Sequence, residues 1–263
     1  MPTPIIVHGA AGRMGRRILA LASETTGKAD GFTIVAGVDL KPGTIAELGV
    51  AGTAPVVTAL PIAPGTVVID FSHPSTFAAV AAHCATHGMP LVSGTTGIAP
   101  ADLDRALAAA ATRIPVLHAL NMSVGVNVMF KVAAQLAKTL GPTYDIEIVE
   151  AHHNQKKDAP SGTAFGIADA ILGATGRTRA DLVHGREGMV GARKPGEIGM
   201  HALRLGDVVG DHSVYFVGNG ERVMLGHLAH NRDIFVNGAL RAAAHLATAK
   251  PGRYGMADVL GLT

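Results

Sequence analysis

The sequence predicts an α/β protein of two domains, an N-terminal doubly wound parallel sheet and a C-terminal α+β domain with an open mixed sheet. Three observations predict this fold. Short apolar runs alternate with helical segments in the first half of the chain. Strand-like runs follow one another in the second half, two of them joined by Asn-Gly. With 263 residues, the chain is long enough for two cores. We expect a first domain over 1–122, which is rejoined by 232–263, and a second domain over 123–231.

A glycine-rich turn stands between the first predicted strand and the first predicted helix. The β-branched run Ile5–His8 leads into Gly9–Gly15, whose spacing is G-x-x-G-x-x-G, and a helix follows. Glycines let such a turn approach a pyrophosphate closely, and the helix start supplies N–H donors. Asp39 follows the second predicted strand, Phe32–Val38, where its carboxylate can accept from both adenosine ribose hydroxyls. Together these features predict a Rossmann-like dinucleotide-binding domain.

The residues around Asp39 leave the cofactor open. The acid can simply begin the turn Leu40–Gly43, and Lys41 can instead pair with the 2′-phosphate of NADP. Both NADH and NADPH are therefore candidate cofactors.

The rest of the first domain repeats the strand-helix pattern. Its predicted elements are Thr66–Phe71, Pro74–His87, Pro90–Ser93, Ala101–Thr112 and Ile114–His118. Ligands of such sheets bind beyond the carboxyl ends of the strands. The loops Gly94–Gly97 and Ala119–Met122 should therefore meet the glycine-rich turn, where the threonines and Asn121 can hydrogen-bond a nicotinamide carboxamide or ribose. The alternative for Gly94–Gly97 is an ordinary turn.

The second domain is predicted to contain two helices and four strands. Ser123 can cap the helix that leads into it. Thr175–Lys194 has no clear period and is expected to be a long irregular loop. Gly218–Glu221 predicts a hairpin, and a last helix, from Asn231 to about Thr248, should return to the first domain. The strands are expected at Asp145–Glu150, Glu197–Gly206, Asp211–Val217 and Arg222–Ala229, and the second helix should end near Leu172.

One stretch of the second domain gathers proton-carrying side chains just before a helix start. The alternating run Asp145–Glu150 predicts a half-buried strand that delivers His152 and His153 at its end, with Lys156 on the same loop. Pro-Ser-Gly-Thr at 160–163 then places capping hydroxyls and backbone N–H groups at a helix start. The combination predicts an anion-binding pocket with a proton donor.

Two other chemistries fit this stretch less well. Zinc binding lacks an H-E-x-x-H motif and paired cysteines, and Lys156 would repel the ion, so no metal is expected. A nucleophilic Ser161 lacks the G-x-S-x-G elbow. The chain has 13 histidines, and all except His152 and His153 are expected to be structural or exposed. Hydride transfer remains the best fit.

Composition excludes several classes of protein. The 22 Lys and Arg against 20 Asp and Glu are too even for a nucleic-acid surface, and no apolar stretch is long enough to predict a membrane span. The single cysteine, Cys84, excludes an internal disulfide and suits a reducing compartment. Because the start of the sequence also lacks a secretory signal, we expect a cytoplasmic protein with no nucleic-acid or membrane partner.

The motifs of the sequence closely resemble those of the 4-hydroxy-tetrahydrodipicolinate reductase family, also called dihydrodipicolinate reductases. The resemblance covers essentially the whole chain and rests mainly on Glu150–Thr163, with Gly9–Gly15, Gly94–Gly97 and Asn121–Asn127 in support. It implies an NAD(P)H-dependent reductase of diaminopimelate and lysine biosynthesis, which converts a cyclic dicarboxylate to tetrahydrodipicolinate. It also implies a homotetramer built through the sheet of the second domain.

The resemblance further implies roles for individual residues. His152 and Lys156 would handle the proton, with the donor of the two left open. His153, Gly162 and Thr163 would bind the substrate carboxylates. The cofactor, NADH or NADPH, would be held by residues of three loops and by the acid after the second strand: Gly9, Ala10, Ala11, Gly12, Arg13, Met14, Asp39, Gly94, Thr95, Thr96, Ala119, Leu120, Asn121 and Met122.

Two positions depart from the family pattern, since Met122 stands where the family often has Phe and Leu40 where many members have Arg. The choice between NADH and NADPH stays open for that reason.

Two alternative functions are considered for the chain. One is a different two-domain nicotinamide-dependent dehydrogenase, acting on amino acids or sugars, and the other is a dinucleotide-sensing binding protein. A sensor has no reason to keep a proton donor over a nicotinamide, so the cluster of His152, His153 and Lys156 argues against it.

Overall fold

A computed structural model describes residues 1–262. Its contacts divide the chain into two compact units, one formed by Met1–Val124 together with the chain from Asp233 onward, the other by Gly125–Arg232. Each unit has its own sheet and its own core. The predicted fold class is confirmed.

The elements follow in chain order. The chain begins with β1 (Thr3–His8), α1 (Arg13–Ser23), β2 (Phe32–Val38), β3 (Gly43–Thr44), β4 (Pro55–Val57), β5 (Val67–Asp70), α2 (Phe77–His87), β6 (Leu91–Ser93), α3 (Pro100–Ala111) and β7 (Pro115–His118). It continues with α4 (Val124–Leu140), β8 (Asp145–His152), α5 (Gly162–Thr175), β9 (Leu182–His184), β10 (Ile198–Arg204), β11 (Asp211–Val217) and β12 (Arg222–Leu228). It ends with α6 (Asp233–Leu246), β13 (Gly252–Tyr254) and α7 (Met256–Leu260).

The sheet of the first unit has eight strands in the order β13-β7-β6-β5-β1-β2-β4-β3, and every neighbouring pair is parallel except β3 with β4. Helices cover both faces, so its central strands are apolar on both sides. Ile5 and Val7 pack in the core with α1, α6 and α7, whereas Ile6 packs in the core with α2 and α3. The strand order reverses between β1 and β5, which opens a ligand crevice at their carboxyl ends.

The sheet of the second unit has five strands in the order β12-β11-β8-β10-β9. The central strand β8 is parallel to β10 and antiparallel to β11, so the sheet is mixed as predicted. Ile146, Ile148 and Phe216 pack in the core with α4 and α5. The opposite face of the sheet carries the exposed side chains of Leu203 and Met224. Pairing on both sides of β8 fixes the position of its carboxyl end.

Several short elements were not predicted. β9 and the 3₁₀ helix Arg179–Asp181 lie inside the segment expected to be irregular, so that prediction is wrong for 179–184. β3, β4 and β13 are also absent from the sequence prediction. Each of these strands has two or three residues, too few to show a period of two. Pairing with a neighbouring strand defines them instead.

Candidate active site

The turn between β1 and α1 is closed by contacts that glycine allows. Gly9 has a φ of +82°, and the N–H groups of Gly9 and Ala10 both donate to the carbonyl of Val38. Gly15 lets α1 lie directly on the turn, because a Cβ there would overlap the Gly9 carbonyl. Gly12 is the N-cap of α1 and gives it no side-chain cap. The first turn of α1 is therefore suited to an anion such as a pyrophosphate.

Asp39 lies on the other side of this turn. Its Oδ2 accepts a hydrogen bond from the Ala11 N–H at 2.7 Å, and its Oδ1 accepts one from the Leu40 N–H at 2.7 Å. A carboxylate oxygen can accept more than one hydrogen bond, and Asp39 lines a cavity of about 530 Å³. The carboxylate can therefore also accept from ribose hydroxyls.

Two cavities of the first unit share Gly12, Phe71 and Ser72 in their walls. At these residues the cavity beside Asp39 meets a second cavity of about 440 Å³, which runs along the loop after β6. This arrangement fits a dinucleotide, whose two halves meet at a pyrophosphate, with Gly12 at the junction. The predicted cofactor residues that line one or both cavities are Gly9, Ala11, Gly12, Arg13, Met14, Asp39, Gly94, Thr95, Thr96, Ala119, Leu120 and Met122.

Three predicted cofactor residues have other contacts. Ala10 is fully buried in the core. Asn121 accepts from the Ser123 N–H through Oδ1 at 2.9 Å. The Thr95 hydroxyl accepts from the Ser72 N–H and donates to a carboxylate. Thr95 therefore supports its loop with its side chain, whereas Thr96 is exposed and lines the same cavity.

Asp70, which the sequence analysis did not select, ties these loops together. It is fully buried at the end of β5. Its Oδ1 accepts from His8 Nδ1 at 2.8 Å and Ser72 Oγ at 2.5 Å, and its Oδ2 accepts from the hydroxyls of Ser93 and Thr95 at 2.8 Å. Burial acts to raise the pKa of Asp70, but these hydrogen bonds outweigh it and the pKa is lowered. Asp70 thus holds the ends of β1, β5 and β6 in one arrangement.

Asp70→Ala is expected to lower the free energy of unfolding by about 3–5 kcal/mol at pH 7, because it leaves buried donors without their acceptor. The wild-type carboxylate has a folded pKa below its ordinary value of 3.8. Its stabilisation is therefore present above about pH 5 and is lost as the pH falls toward the folded pKa. Urea denaturation of both proteins at pH 7 and at pH 3.5 measures the two effects.

Asp104→Asn is the matched control for this measurement. Asp104 pairs with Arg253 at the surface, where the two side chains are 66% and 53% exposed. Loss of such a pair should change the free energy of unfolding by less than about 1 kcal/mol. A loss in Asp70→Ala no larger than that in the control would contradict the role assigned to Asp70.

In the second unit, two side chains of β8 bond to each other at its carboxyl end. His152 Nδ1 lies 2.5 Å from Glu150 Oε2, and both side chains are buried. An ionised carboxylate can only accept, so Nδ1 carries a proton and Nε2 is left for another partner. His152 is the last residue of the strand, as predicted, and the half-buried His153 follows it.

Lys156 is held on the loop after this strand. Its Nζ donates to both carboxylate oxygens of Asp158 at 2.8 Å, and its backbone N–H donates to the His153 carbonyl at 3.1 Å. The hydrogen bond from Lys156 lowers the pKa of Asp158. The Lys156 side chain is 18% exposed, whereas that of Asp158 is 66% exposed. The ammonium group therefore has a defined position and a partner that solvent or a ligand can replace.

The start of α5 has the capping that the sequence predicted. Ser161 Oγ accepts from the Ala164 N–H at 3.1 Å. Gly162 is the first residue of the helix, is exposed, and has nothing within 4 Å of the position of a Cβ. Thr163 follows it. The positive end of the helix dipole and this open glycine suit a carboxylate.

Sequence analysis missed two further residues at this site. Arg204 of β10 donates through both terminal nitrogens to Glu150, at 3.1–3.2 Å. His212 of β11 has its Nε2 3.0 Å from Ser161 Oγ and its ring centroid 5.2 Å from that of His152. Burial, aided by nearby cationic side chains, lowers the pKa of His212 to about 3, so its ring is neutral at pH 7. Strand pairing brings both residues next to β8. Their position on strands predicted from the sequence was the signal that could have identified them.

In residues 1–262, no group of three or more His, Cys, Asp or Glu side chains is arranged to hold a metal ion. None of the helices in the same range has the length and apolar character needed to cross a membrane.

Comparison with known sequences matches one family over both halves of the chain. The family model described as "Dihydrodipicolinate reductase, N-terminus" matches residues 3–122, and the model described as "Dihydrodipicolinate reductase, C-terminus" matches residues 125–260. The 4-hydroxy-tetrahydrodipicolinate reductase of Myxococcus xanthus is 46% identical over 268 residues, which cover 97% of this chain and 97% of that protein. The enzyme of the same name from Anaeromyxobacter dehalogenans is 47% identical, with coverage of 99% and 98%.

Comparison with solved structures gives a similar result. The dipicolinate-bound dihydrodipicolinate reductase from Paenisporosarcina sp. TG-14 has a TM-score of 0.74 and 25% sequence identity, and the match covers 97% of this chain and 98% of that one. A probable dehydrogenase from Thermotoga maritima has a TM-score of 0.63 at 13% identity and shares the fold alone.

Proposed function

The chain belongs to the dihydrodipicolinate reductase family, and we propose that His152 and Lys156 are the residues through which it reduces its substrate. As a member of that family it is an oxidoreductase that uses NADH or NADPH to convert 4-hydroxy-tetrahydrodipicolinate to tetrahydrodipicolinate, in diaminopimelate and lysine biosynthesis. One observation carries the residue assignment. An oriented imidazole, held by Glu150, lies on the same unit as a capped helix start suited to anions.

The substrate carboxylates are bound at the start of α5. Backbone N–H groups at Gly162 and Thr163 donate to one carboxylate, and the absence of a side chain at Gly162 lets it approach the helix end. His153, half-buried after the end of β8, donates to a carboxylate as well. A ring with two carboxylates is thereby held in a defined orientation.

The proton comes from His152 Nε2 or Lys156 Nζ. As the substrate ring takes up electrons, negative charge develops on its imine-enamine system. A nearby ammonium group stabilises that charge and a placed acid neutralises it, an effect of about 10²–10⁴-fold in rate for the acid. Glu150 orients His152, and Asp158 holds Lys156 until substrate is present. When bound, the reduced nicotinamide supplies the hydride.

The first unit is the dinucleotide-binding domain in this proposal, and the second is the substrate-binding domain. The turn Gly9–Met14 holds the pyrophosphate, and Asp39 accepts from the adenosine ribose. The loops Gly94–Thr96 and Ala119–Met122 hold the other half of the dinucleotide. Both cavities and the open first turn of α1 support this assignment.

A coupled assay tests the proposed function. The substrate is generated by its synthase, and the absorbance of the reduced nicotinamide is followed with NADH and with NADPH separately. We expect turnover with both cofactors, because Asp39 favours NADH whereas Lys41 can pair with a 2′-phosphate. No oxidation is expected before the synthase product forms. Binding of NADH without turnover would instead support a dinucleotide sensor, and turnover only with amino acids or sugars would support another dehydrogenase.

The open face of the second sheet is proposed to build a homotetramer of a cytoplasmic enzyme. Leu203, Met224 and Leu228 are 44%, 63% and 64% exposed on this face, and apolar side chains clustered on one sheet face favour self-association. Light scattering during size-exclusion chromatography should give four times the chain mass of 26.8 kDa. A monomeric mass at micromolar concentration would contradict the tetramer.

A further inference from the structure

We infer that Glu150 is a positioning residue, whose carboxylate holds His152 in one tautomer and ties it to the start of α5. This inference rests on the proposed function, because it explains how His152, one of the two proposed proton donors, is oriented. Glu150 precedes His152 by two residues on β8, so both side chains project from the same face of the strand.

Glu150 is surrounded by donors from three elements. Its side chain is 1% exposed. Oε2 accepts from His152 Nδ1 at 2.5 Å, Oε1 accepts from the Ser161 N–H at 3.1 Å, and Arg204 donates to both oxygens. Arg204 also donates to the Asp158 carbonyl at 2.6 Å. One carboxylate therefore links the end of β8, the N-cap of α5 and, through Arg204, the segment that holds the proposed cation.

The hydrogen bond from His152 to Glu150 decides which ring nitrogen can react. Nδ1 must donate to the carboxylate, so a proton delivered by the imidazole leaves from Nε2. Gly210 keeps space around that atom, since a Cβ at this residue would lie 3.0 Å from Nε2. The geometry thus assigns one nitrogen to orientation and the other to chemistry, as in carboxylate-histidine pairs of hydrolytic enzymes.

The charges around His152 show why a carboxylate is needed there. Arg204 faces it from β10, His212 faces it from β11, and Lys156 lies on the loop that follows its strand. The arginine and lysine charges oppose a positive charge on His152, Asp158 offsets the lysine charge in part through its contact at 2.8 Å, and the neutral His212 ring adds no negative charge. Glu150 supplies the opposing negative charge at 2.5 Å. Its loss removes both this charge and the acceptor that holds the Nδ1 proton in place.

Glu150→Gln tests this inference because the amide has a preferred orientation. Three hydrogen bonds, one from the Ser161 N–H and two from Arg204, converge on Oε1 and require the amide oxygen there. The amide NH₂ then takes the place of Oε2 and faces His152 Nδ1. It can only donate, so neutral His152 must carry its proton on Nε2. The tautomer is reversed with little change in shape.

The pH dependence of kcat and the ¹⁵N chemical shifts of His152 are the two readouts. We expect Glu150→Gln to lower kcat about 100-fold at pH 8, with a smaller loss at pH 6, because low pH restores the protonated imidazole. The KM for the dinucleotide should stay within about twofold. The ¹⁵N shifts, assigned by their absence in His152→Gln, should move from Nδ1-H in the wild type to Nε2-H in the variant.

Two further variants separate positioning from a structural effect. Glu150→Asp keeps the charge and should retain the wild-type pH profile and tautomer at reduced kcat. Glu147→Gln removes a carboxylate of the same strand that binds Arg186 and His201, and should leave the pH profile in place. A Glu150→Gln enzyme with the wild-type pH profile, or with unchanged ¹⁵N shifts, overturns the inference. An inactive wild type refutes the proposed function instead, and the ¹⁵N shifts then still decide the role of Glu150.

Discussion

His152→Gln is expected to lower kcat by about 10²–10⁴-fold, the usual contribution of a placed general acid. Glutamine has a similar size but cannot deliver a proton, so the substitution removes the proton donor and keeps the side-chain volume. Glu150 still has Ser161 and Arg204 as donors in the variant, so the fold should be kept. The dissociation constant of NADH, measured by fluorescence titration, should stay within about twofold.

His184→Gln is the control for this substitution. His184 is an exposed residue of β9 in the same unit, and its replacement should leave kcat within about twofold. If His152→Gln turns over as fast as His184→Gln at every pH from 6 to 9, His152 is not the proton donor. Lys156 would then carry that role alone.

The fold was largely predictable because its long elements carry local signals. The strands β1, β2 and β5 are apolar runs bounded by turn residues, and the hairpin between β11 and β12 contains Asn-Gly. β9 and β13 carry no such signal. They pair with β10 and β7 through a few backbone hydrogen bonds, which any residues except proline can form. Tertiary context alone defines elements of this kind.

The candidate-site motif could be recognised for a similar reason, because His152, His153 and Lys156 lie within five residues on one strand end and loop. Arg204 and His212 come from other strands and approach the motif only once the register of the second sheet is set. Asp70 is the corresponding case in the first unit. Its partners come from three strand ends, and a single acid at the end of an apolar run does not reveal that it accepts four hydrogen bonds.

Lys156→Ala is expected to reduce kcat by about 10²–10³-fold, since it removes a cation that stabilises the charge developing on the substrate ring. Asp158 loses its partner but is 66% exposed, so water solvates it and the free energy of unfolding should change by less than about 1 kcal/mol. Lys157→Ala is the control, because Lys157 is the neighbouring, exposed lysine. It should retain kcat within about twofold.

Small amines distinguish the two roles that Lys156 can have. If the ammonium group acts as a cation or as a proton donor at the ring, methylamine added to Lys156→Ala should restore part of kcat in proportion to its concentration. A series of amines with different basicity then separates the roles. Proton donation makes the restored rate depend on the amine pKa, whereas pure charge stabilisation makes it depend on the concentration of ammonium ion alone. Full activity of Lys156→Ala without any amine would exclude both roles and leave His152 as the proton donor.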